Sequence, residues 1–488
     1  MTHHPHGGAR AVGMPAAPAL ANRIVTPTAL VALLLLSGCM NLIPAYERPA
    51  APVATAYSPE LAPAGAPGTA NAADIEWQRY FADERLKRLI DMALKNNRDL
   101  RVAVLNIEQS RAAYQIKQAD ELPSLGGGLS AQRQAAGNGK LANTYAVGLQ
   151  VTGYELDLFG RVRSLSQAAM AQYLATEEAR KTVQIALVAA VANTHLALLA
   201  DDELLRTTAE TLKTREESFK LNKLKFDNGA ASELDFRQAE QLLEGAKVSL
   251  AQTQRQRALD ENALVLLLGQ ALPADLPAAV PLAAQQGVGD LPAGLPSELL
   301  TRRPDVRAAE QQLMAANANI GAARAAMFPR ISLTANAGTA SSELSGLFKS
   351  GTFALTGSAT LLQPLFDAGR NQANLAVAKV NREIAVAQYE KAIQTAFREV
   401  ADSLAGRATL GEQLRAQTAL TNAAQATFKL ADLRYRNGAS SYLEVLDAQR
   451  TLFAAQQATV QVQTLQAQNL VTLYKVLGGG WTEPAKAN

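Results

Sequence analysis

The chain has 488 residues, 48% of them apolar, enough for two or three ordinary domains or one elongated structure, and this excludes a wholly disordered chain. Its 47 basic and 44 acidic residues give a net charge of +3, too even a balance for a whole-chain nucleic-acid footprint. A single cysteine excludes an internal disulfide and any multi-cysteine metal site, and aromatic residues at 5% leave little for stacking bases or sugars.

The N-terminus reads as an address. Ala29 to Leu36 is an eight-residue apolar run preceded by Arg10 and Arg23 and by no acid, the pattern of a secretory signal whose long n-region a start at Met14 would shorten. The run is too short to span a bilayer. It ends in Leu36-Ser37-Gly38-Cys39, which resembles a bacterial lipobox. That resemblance implies cleavage before Cys39 and diacylglycerol on its sulfur; the alternative is an ordinary signal with an incidental cysteine. Met40 follows, not the aspartate that retains many lipoproteins at the inner membrane, so outer-membrane sorting is the default. Cleavage would remove three of the four histidines. The remaining one, His195, lies in the helical stretch VAAVANTHLALLA and reads as structural. With the missing thiols, this argues against a zinc centre or a Ser-His or Cys-His catalytic arrangement.

Six prolines from Pro44 to Pro67 mark an extended Ala/Pro-rich tether, and five more lie between Pro273 and Pro296. After the tether comes a helix, then a weak alternating strand at Leu125–Gln132 and a stronger one in which Tyr145, Val147, Leu149 and Val151 alternate with Ala146, Gly148, Gln150 and Thr152. From Gly160 to Pro273 there is no proline, and strong helix formers dominate. Asn228-Gly229 interrupts this tract as a left-handed stop and turn, making a hairpin of two long helices. The second half repeats the order. Ile331, Leu333, Ala335 and Ala337 alternate with polar residues, as do Phe353, Leu355, Ala359 and Leu361, and a proline-free tract after Pro364 turns at Asn437-Gly438. Gly478-Gly479-Gly480 reads as a stop; no Gly-Lys-Ser/Thr phosphate loop is present anywhere in the chain.

The repeat is explicit in the residues. Phe219-Lys220-Leu221, Asn228-Gly229-Ala230 and Leu234 return 209 positions later as Phe428-Lys429-Leu430, Asn437-Gly438-Ala439 and Leu443. Gly160-Arg161 and Gly369-Arg370 share that offset. The domain reading is a signal peptide (1–38), a lipidated tether (39–73), a first repeat (74–268, strands near 125–133 and 143–157, turn at 228–230), a Pro-rich inter-repeat segment (269–300), a second repeat (301–477, strands near 331–340 and 352–364, turn at 437–439) and a C-terminal tail (478–488). Strands with one apolar and one small-polar face carry the transmembrane-barrel pattern, but four cannot close a barrel and an open edge is not tolerated in lipid. Two copies would give eight strands with a filled interior; three would give twelve, wide enough to conduct, together with twelve long helices for a tunnel wall.

These features resemble the TolC superfamily, and within it the OprM-type (NodT-like) outer-membrane lipoproteins of RND multidrug efflux pumps. The matching residues include Cys39 with Ile43-Pro44-Ala45-Tyr46-Glu47-Arg48-Pro49, Asn96-Asn97-Arg98-Asp99-Leu100-Arg101, Tyr154-Glu155-Leu156-Asp157-Leu158-Phe159-Gly160-Arg161, Arg302-Arg303-Pro304-Asp305, and Tyr435-Arg436-Asn437-Gly438 leading into Tyr442-Leu443-Glu444-Val445-Leu446-Asp447. The resemblance implies a mainly α fold with a transmembrane β-barrel: a homotrimeric twelve-stranded barrel continuing into a twelve-helix periplasmic α-barrel, two repeats per chain. It implies a periplasmic gate at Asp447 and at the apolar constriction Leu443, with Arg434 and Tyr435 tying neighbouring helices in the closed state. Glu444 departs from the pattern of many OprM-type channels, which carry an uncharged residue there where TolC has an acid. Glu444 and Asp447 lie three apart, so both can share a helix face, and rings of carboxylates favour cations. The plain alternative is a solvated acidic patch on a helix end. The turns Asn228-Gly229-Ala230 and Asn437-Gly438-Ala439 are the expected contact for a periplasmic adaptor, with an inner-membrane RND transporter as the energised partner.

The leading reading is therefore a passive outer-membrane duct with no cofactor beyond lipid on Cys39 and no metal site. Alternatives are a type I secretion or metal-efflux channel of the same fold, or a non-conducting structural coiled-coil lipoprotein. No convergent catalytic set points to an enzyme.

Overall fold

The computed structural model describes residues 40–58, 74–135, 141–285 and 302–481; the signal, Cys39, the rest of the tether, and parts of the inter-repeat segment and the C-terminal tail lie outside them. In chain order the elements are helices α1 (Trp77–Tyr80), α2 (Glu84–Asn96) and α3 (Arg98–Ala119), strands β1 (Leu125–Ala135) and β2 (Leu141–Leu156), and the long hairpin α4 (Arg161–Asp227) and α5 (Glu233–Leu268). Then come α6 (Pro304–Ala325), β3 (Arg330–Ser341), β4 (Phe353–Leu362), and the second hairpin α7 (Arg370–Arg436) and α8 (Tyr442–Val476). Helices α4 and α7 are each 67 residues long, about 100 Å at 1.5 Å per residue.

Each of these helices starts on a glycine in the left-handed region, Gly160 (φ 71°) and Gly369 (φ 83°), which cannot cap with a side chain. An upstream aspartate supplies the acceptor instead. Asp157 Oδ2 accepts from Arg163 N at 2.8 Å, and Asp367 Oδ2 accepts from Asn371 N at 2.9 Å.

Within the first repeat, α4 packs along two shorter helices, α3 and α5, set end to end. At the C-terminus of α5, a Cβ on Gly269 would lie 2.4 Å from the Asn96 carbonyl oxygen, so glycine permits the close approach. Asn97 joins the two ends: its Oδ1 accepts from Leu100 N (2.9 Å) and its Nδ2 donates to Leu267 O (2.9 Å). In the second repeat Arg303, at the N-cap of α6, donates to Val476 O at the end of α8 (3.0 Å). Both repeats thus splice two short helices against one long one, and one side chain at each joint satisfies a helix-end carbonyl.

The four strands form one antiparallel sheet in the order β1-β2-β3-β4, leaving β1 and β4 at its edges. The register aligns Leu129, Val147, Thr339 and Phe353 across the sheet, then Gly127, Leu149, Ala337 and Leu355. A bulge between Val151 and Tyr154, with Gly153 at φ 66°, inserts an extra residue. It keeps Tyr154 and Leu156 on the apolar face, opposite Leu333 and Ile331. The other face carries Ser130, Gln132, Thr144, Gln150, Ser332, Thr334, Thr356 and Thr360. Where the sheet meets the helices, Glu155 is held by Arg161 (2.6 Å) and Arg330 (2.6 Å), and Phe159 stacks on Phe328 at 4.6 Å.

The main core is a girdle halfway down the helices, where α1 and α2, the middle of α4, α6, and the facing stretches of α7 and α8 bury one contiguous cluster. Tyr80 stacks on Tyr474 at 3.9 Å, and their hydroxyls donate to Leu470 O (2.8 Å) and Ile75 O (2.6 Å). His195 is buried here, its Nε2 3.1 Å from Asp83 Oδ2. Burial alone would raise the Asp83 carboxyl, but hydrogen bonds from His195, Gln285 and Arg85 N hold it down at about 2.

Two segments are more tightly held than the sequence suggests. Residues 40–58 of the tether run as a docked strap: Met40 N donates to Leu158 O, Arg324 and Asn317 of α6 donate to Leu42 O and Pro44 O, and Arg48 grips Glu310 at 2.7 Å. The strap forms neither helix nor strand, and side chains of α6 satisfy two of its carbonyls. The Gly478–Gly480 run is more than a stop. It is buried against α4, a Cβ on Gly479 would lie 2.2 Å from the Tyr474 ring, and Gln184 Nε2 donates to Gly480 O (3.2 Å).

Candidate channel entrance and docking tips

The helical hairpins end side by side, farthest from the sheet. Each tip closes the same way. Gly229 and Gly438 both sit at φ 70°; Ala230 N donates to Lys225 O (2.7 Å), and Ala439 N to Arg434 O (2.8 Å). Asn228 Nδ2 donates to Leu224 O (2.7 Å), and Asn437 Nδ2 to Leu433 O (2.8 Å). The asparagine side chain adds a second donor to a helix-end carbonyl that its own backbone N–H already reaches, and the glycine supplies the left-handed step, which is why this dipeptide stands at both turns. All six turn residues are exposed, and nothing lies within 4 Å of a Cβ built on either glycine.

Helix α8 begins just beyond the second turn and is sharply two-sided. Tyr442, Val445, Leu446 and Ala448 pack into a small core with Ala239 and Leu242 of α5 and Ala431 of α7. Leu443, Glu444 and Asp447 fall on the opposite, exposed face, Leu443 being 59% exposed. The three gate candidates therefore share one surface. They are not equivalent electrostatically. Glu444 Oε2 lies 3.4 Å from Arg434 Nη1 of its own hairpin, whereas Asp447 makes no hydrogen bond or ion pair among the described residues. Arg434 also reaches Ala439 O at 3.4 Å, bracing the turn.

Tyr435 links the two hairpins. Its hydroxyl donates to Asn222 Oδ1 of α4 at 2.9 Å, its ring lies 5.3 Å from that of Tyr442, and Lys225 Nζ sits 4.1 Å over its face. Asn222 is fully buried and donates back to Ser218 O, and Gln449 Nε2 donates to Ser218 Oγ at 3.3 Å. Asn222, Ser218, Lys225 and Gln449 are functional candidates that sequence reasoning missed. A 67-residue helix with polar residues on every side gives no sign of which of them meets the other hairpin.

A four-stranded sheet with two open edges, running into paired helical hairpins about 100 Å long, defines a subunit of a TolC-type outer-membrane channel. The chain resembles the open-state crystal structure of the MtrE outer membrane channel of Neisseria gonorrhoeae, with a TM-score of 0.83 and 42% identity over 90% of this chain and 98% of that one. It is 49% identical over 460 residues to the solvent efflux pump outer membrane protein SrpC of Pseudomonas putida, covering 92% of this chain and 97% of that protein. It is 46% identical over 469 residues to the outer membrane protein OprJ of Pseudomonas aeruginosa, covering 93% and 96%. The outer membrane efflux protein family model matches residues 89–270 and 295–479, one stretch per repeat. The chain belongs to that family: it is an outer-membrane efflux protein with a long periplasmic helical extension, and its relatives are channels and efflux components, not enzymes.

Proposed function

We propose that three copies of this chain close a twelve-stranded barrel and a twelve-helix tunnel, forming the passive duct of a tripartite RND-type pump that exports drugs, solvents or other small molecules. The observation that carries this reading is the pair of unpaired sheet edges, β1 and β4, on a sheet too narrow to close alone. Three copies supply twelve strands and, from α4, α5, α7 and α8, twelve tunnel helices. The two exposed Asn-Gly tips per protomer give six similar knobs around the tunnel mouth, which suits a hexameric ring of periplasmic adaptor subunits. Lipid on Cys39 fits the strap, because Met40 lies beside Leu158 and Gly160 where strand gives way to helix, close to the membrane surface.

Within this reading Leu443, Glu444 and Asp447 line the periplasmic entrance. Asp447, with no counter-charge among the described residues of its own chain, is the dominant acid of the gate; Glu444 is partly neutralised by Arg434. Energy comes from the inner-membrane transporter. The test is single-channel conductance of the purified protein in planar bilayers. Small cation-selective currents that grow in Asp447→Ala are expected. A well-folded trimer that never conducts, wild type or mutant, would overturn the duct and favour a structural coiled-coil lipoprotein.

A further inference from the structure

Among the described residues, one buried cation lacks a counter-charge. Arg215, on α4 two turns before Asn222, is only 6% exposed. Its Nη1 donates to Leu242 O (3.1 Å) and its guanidinium carbon lies 5.2 Å from the centroid of the Phe453 ring of α8. Its Nε has no hydrogen-bond partner. Two groups act on it: Arg450, another cation, exposed and without a hydrogen bond or ion pair among the described residues, and the Tyr442 hydroxyl, a neutral phenol at ordinary pH. Burial first, and Arg450 second, hold the guanidinium below its ordinary range. An arginine does not escape by giving up its proton, and an uncompensated buried cation is strongly unfavourable.

Arg215 borders a cavity of about 200 Å³ between α4 and the α7–α8 hairpin. Phe428 and Phe453 supply an apolar wall, Thr211 and Gln456 a polar one. The acid at its rim, Glu210, is already engaged by Arg206 at 2.8 Å. We propose that this cavity binds a small organic carboxylate, its charged end on Arg215 and its apolar body against Phe428 and Phe453. A guanidinium fork matches a carboxylate, and two aromatic faces favour an organic body over a bare inorganic ion. The site lies in the wall between the two hairpins of one chain, so it is independent of how the pore is read.

The test is a ¹⁹F NMR titration of the purified full-length protein in detergent micelles with 4-fluorobenzoate. Saturable binding is expected for the wild type, weakened about tenfold or more in Arg215→Gln. Gln456→Trp, which leaves Arg215 in place but fills the cavity, should lose binding as well, which guards against a variant that merely folds poorly. Arg434→Ala, an exposed tip arginine, should bind normally, and neutral 4-fluorobenzamide should not saturate. Absence of saturable binding to the wild type overturns the proposal, as does unchanged binding in both Arg215→Gln and Gln456→Trp. Equal binding of the benzamide, or displacement by chloride at the same concentration as benzoate, would also overturn it.

Discussion

The two hairpin tips have the same turn and nearly the same helix lengths, yet they are held in different ways. The first is locked within itself. Ser232 and Asp235 form a reciprocal capping box, and Phe236 stacks on Phe226 at 5.3 Å and lies tilted against Phe219 at 5.6 Å. The second has Ser441 at the same N-cap but no side-chain cap bond, and no phenylalanine stack. Beyond the small core it shares with α5 and the Tyr435–Tyr442 ring pair, it is held by an exposed Arg434–Glu444 pair and by the Tyr435–Asn222 bond to its neighbour. A repeated fold has thus diverged: one tip carries its own lock, and the other borrows its position from a part-buried tyrosine–asparagine bond to its neighbour, an exposed ion pair and the small core the two hairpins share. The borrowed tip also carries Leu443, Glu444 and Asp447.

The largest expected effect comes from breaking the first lock. Phe236→Ala should cost about 2 kcal/mol locally, seen as faster amide hydrogen exchange across residues 219–240 with the second tip unchanged. Next is Tyr435→Phe, which leaves the buried Asn222 carbonyl unsatisfied. A loss of about 1–2 kcal/mol is expected, with exchange rising in the second tip, so that each variant loosens a different hairpin. Ser232→Ala should cost about 1 kcal/mol while Ser441→Ala costs only a few tenths, measured as the difference in thermal unfolding of matched variants. The smallest effect belongs to Arg434→Ala, a few tenths at low salt and less at high salt, because the pair is exposed.

The girdle offers a pH contrast with both tips. The Asp83 carboxyl is held at about 2, below its ordinary 3.8. Its contribution is therefore full above about pH 4 and lost as pH falls toward 2. Asp83→Asn should flatten that part of the acid dependence of unfolding while leaving hydrogen exchange at the tips unaltered.

Much of the backbone was legible because its signals are local. Proline-free tracts bounded by Gly160 and Asn228, or Gly369 and Asn437, gave the long helices, and period-two alternation gave the strands. The Val151–Tyr154 bulge was not legible, since a single inserted residue keeps the alternation nearly intact on either side. The docking of the strap was equally hidden: its prolines exclude regular structure but do not say that Asn317 and Arg324 receive its carbonyls. At the candidate site the sequence marked Leu443, Glu444, Asp447, Arg434 and Tyr435, but not their partners. Asn222 and Arg215 gain their roles from which face of α4 meets the second hairpin, and that is a property of packing between elements hundreds of residues apart.

The most direct measurement is single-channel conductance of Tyr435→Phe and Asn222→Ala beside Ser232→Ala, in planar bilayers of one composition. If the second tip is the borrowed one, both seam variants raise the current above wild type and the first-tip variant does not. Equal currents in all three, or an increase confined to Ser232→Ala, would contradict the distinction between the tips and with it the placement of the entrance on the second hairpin.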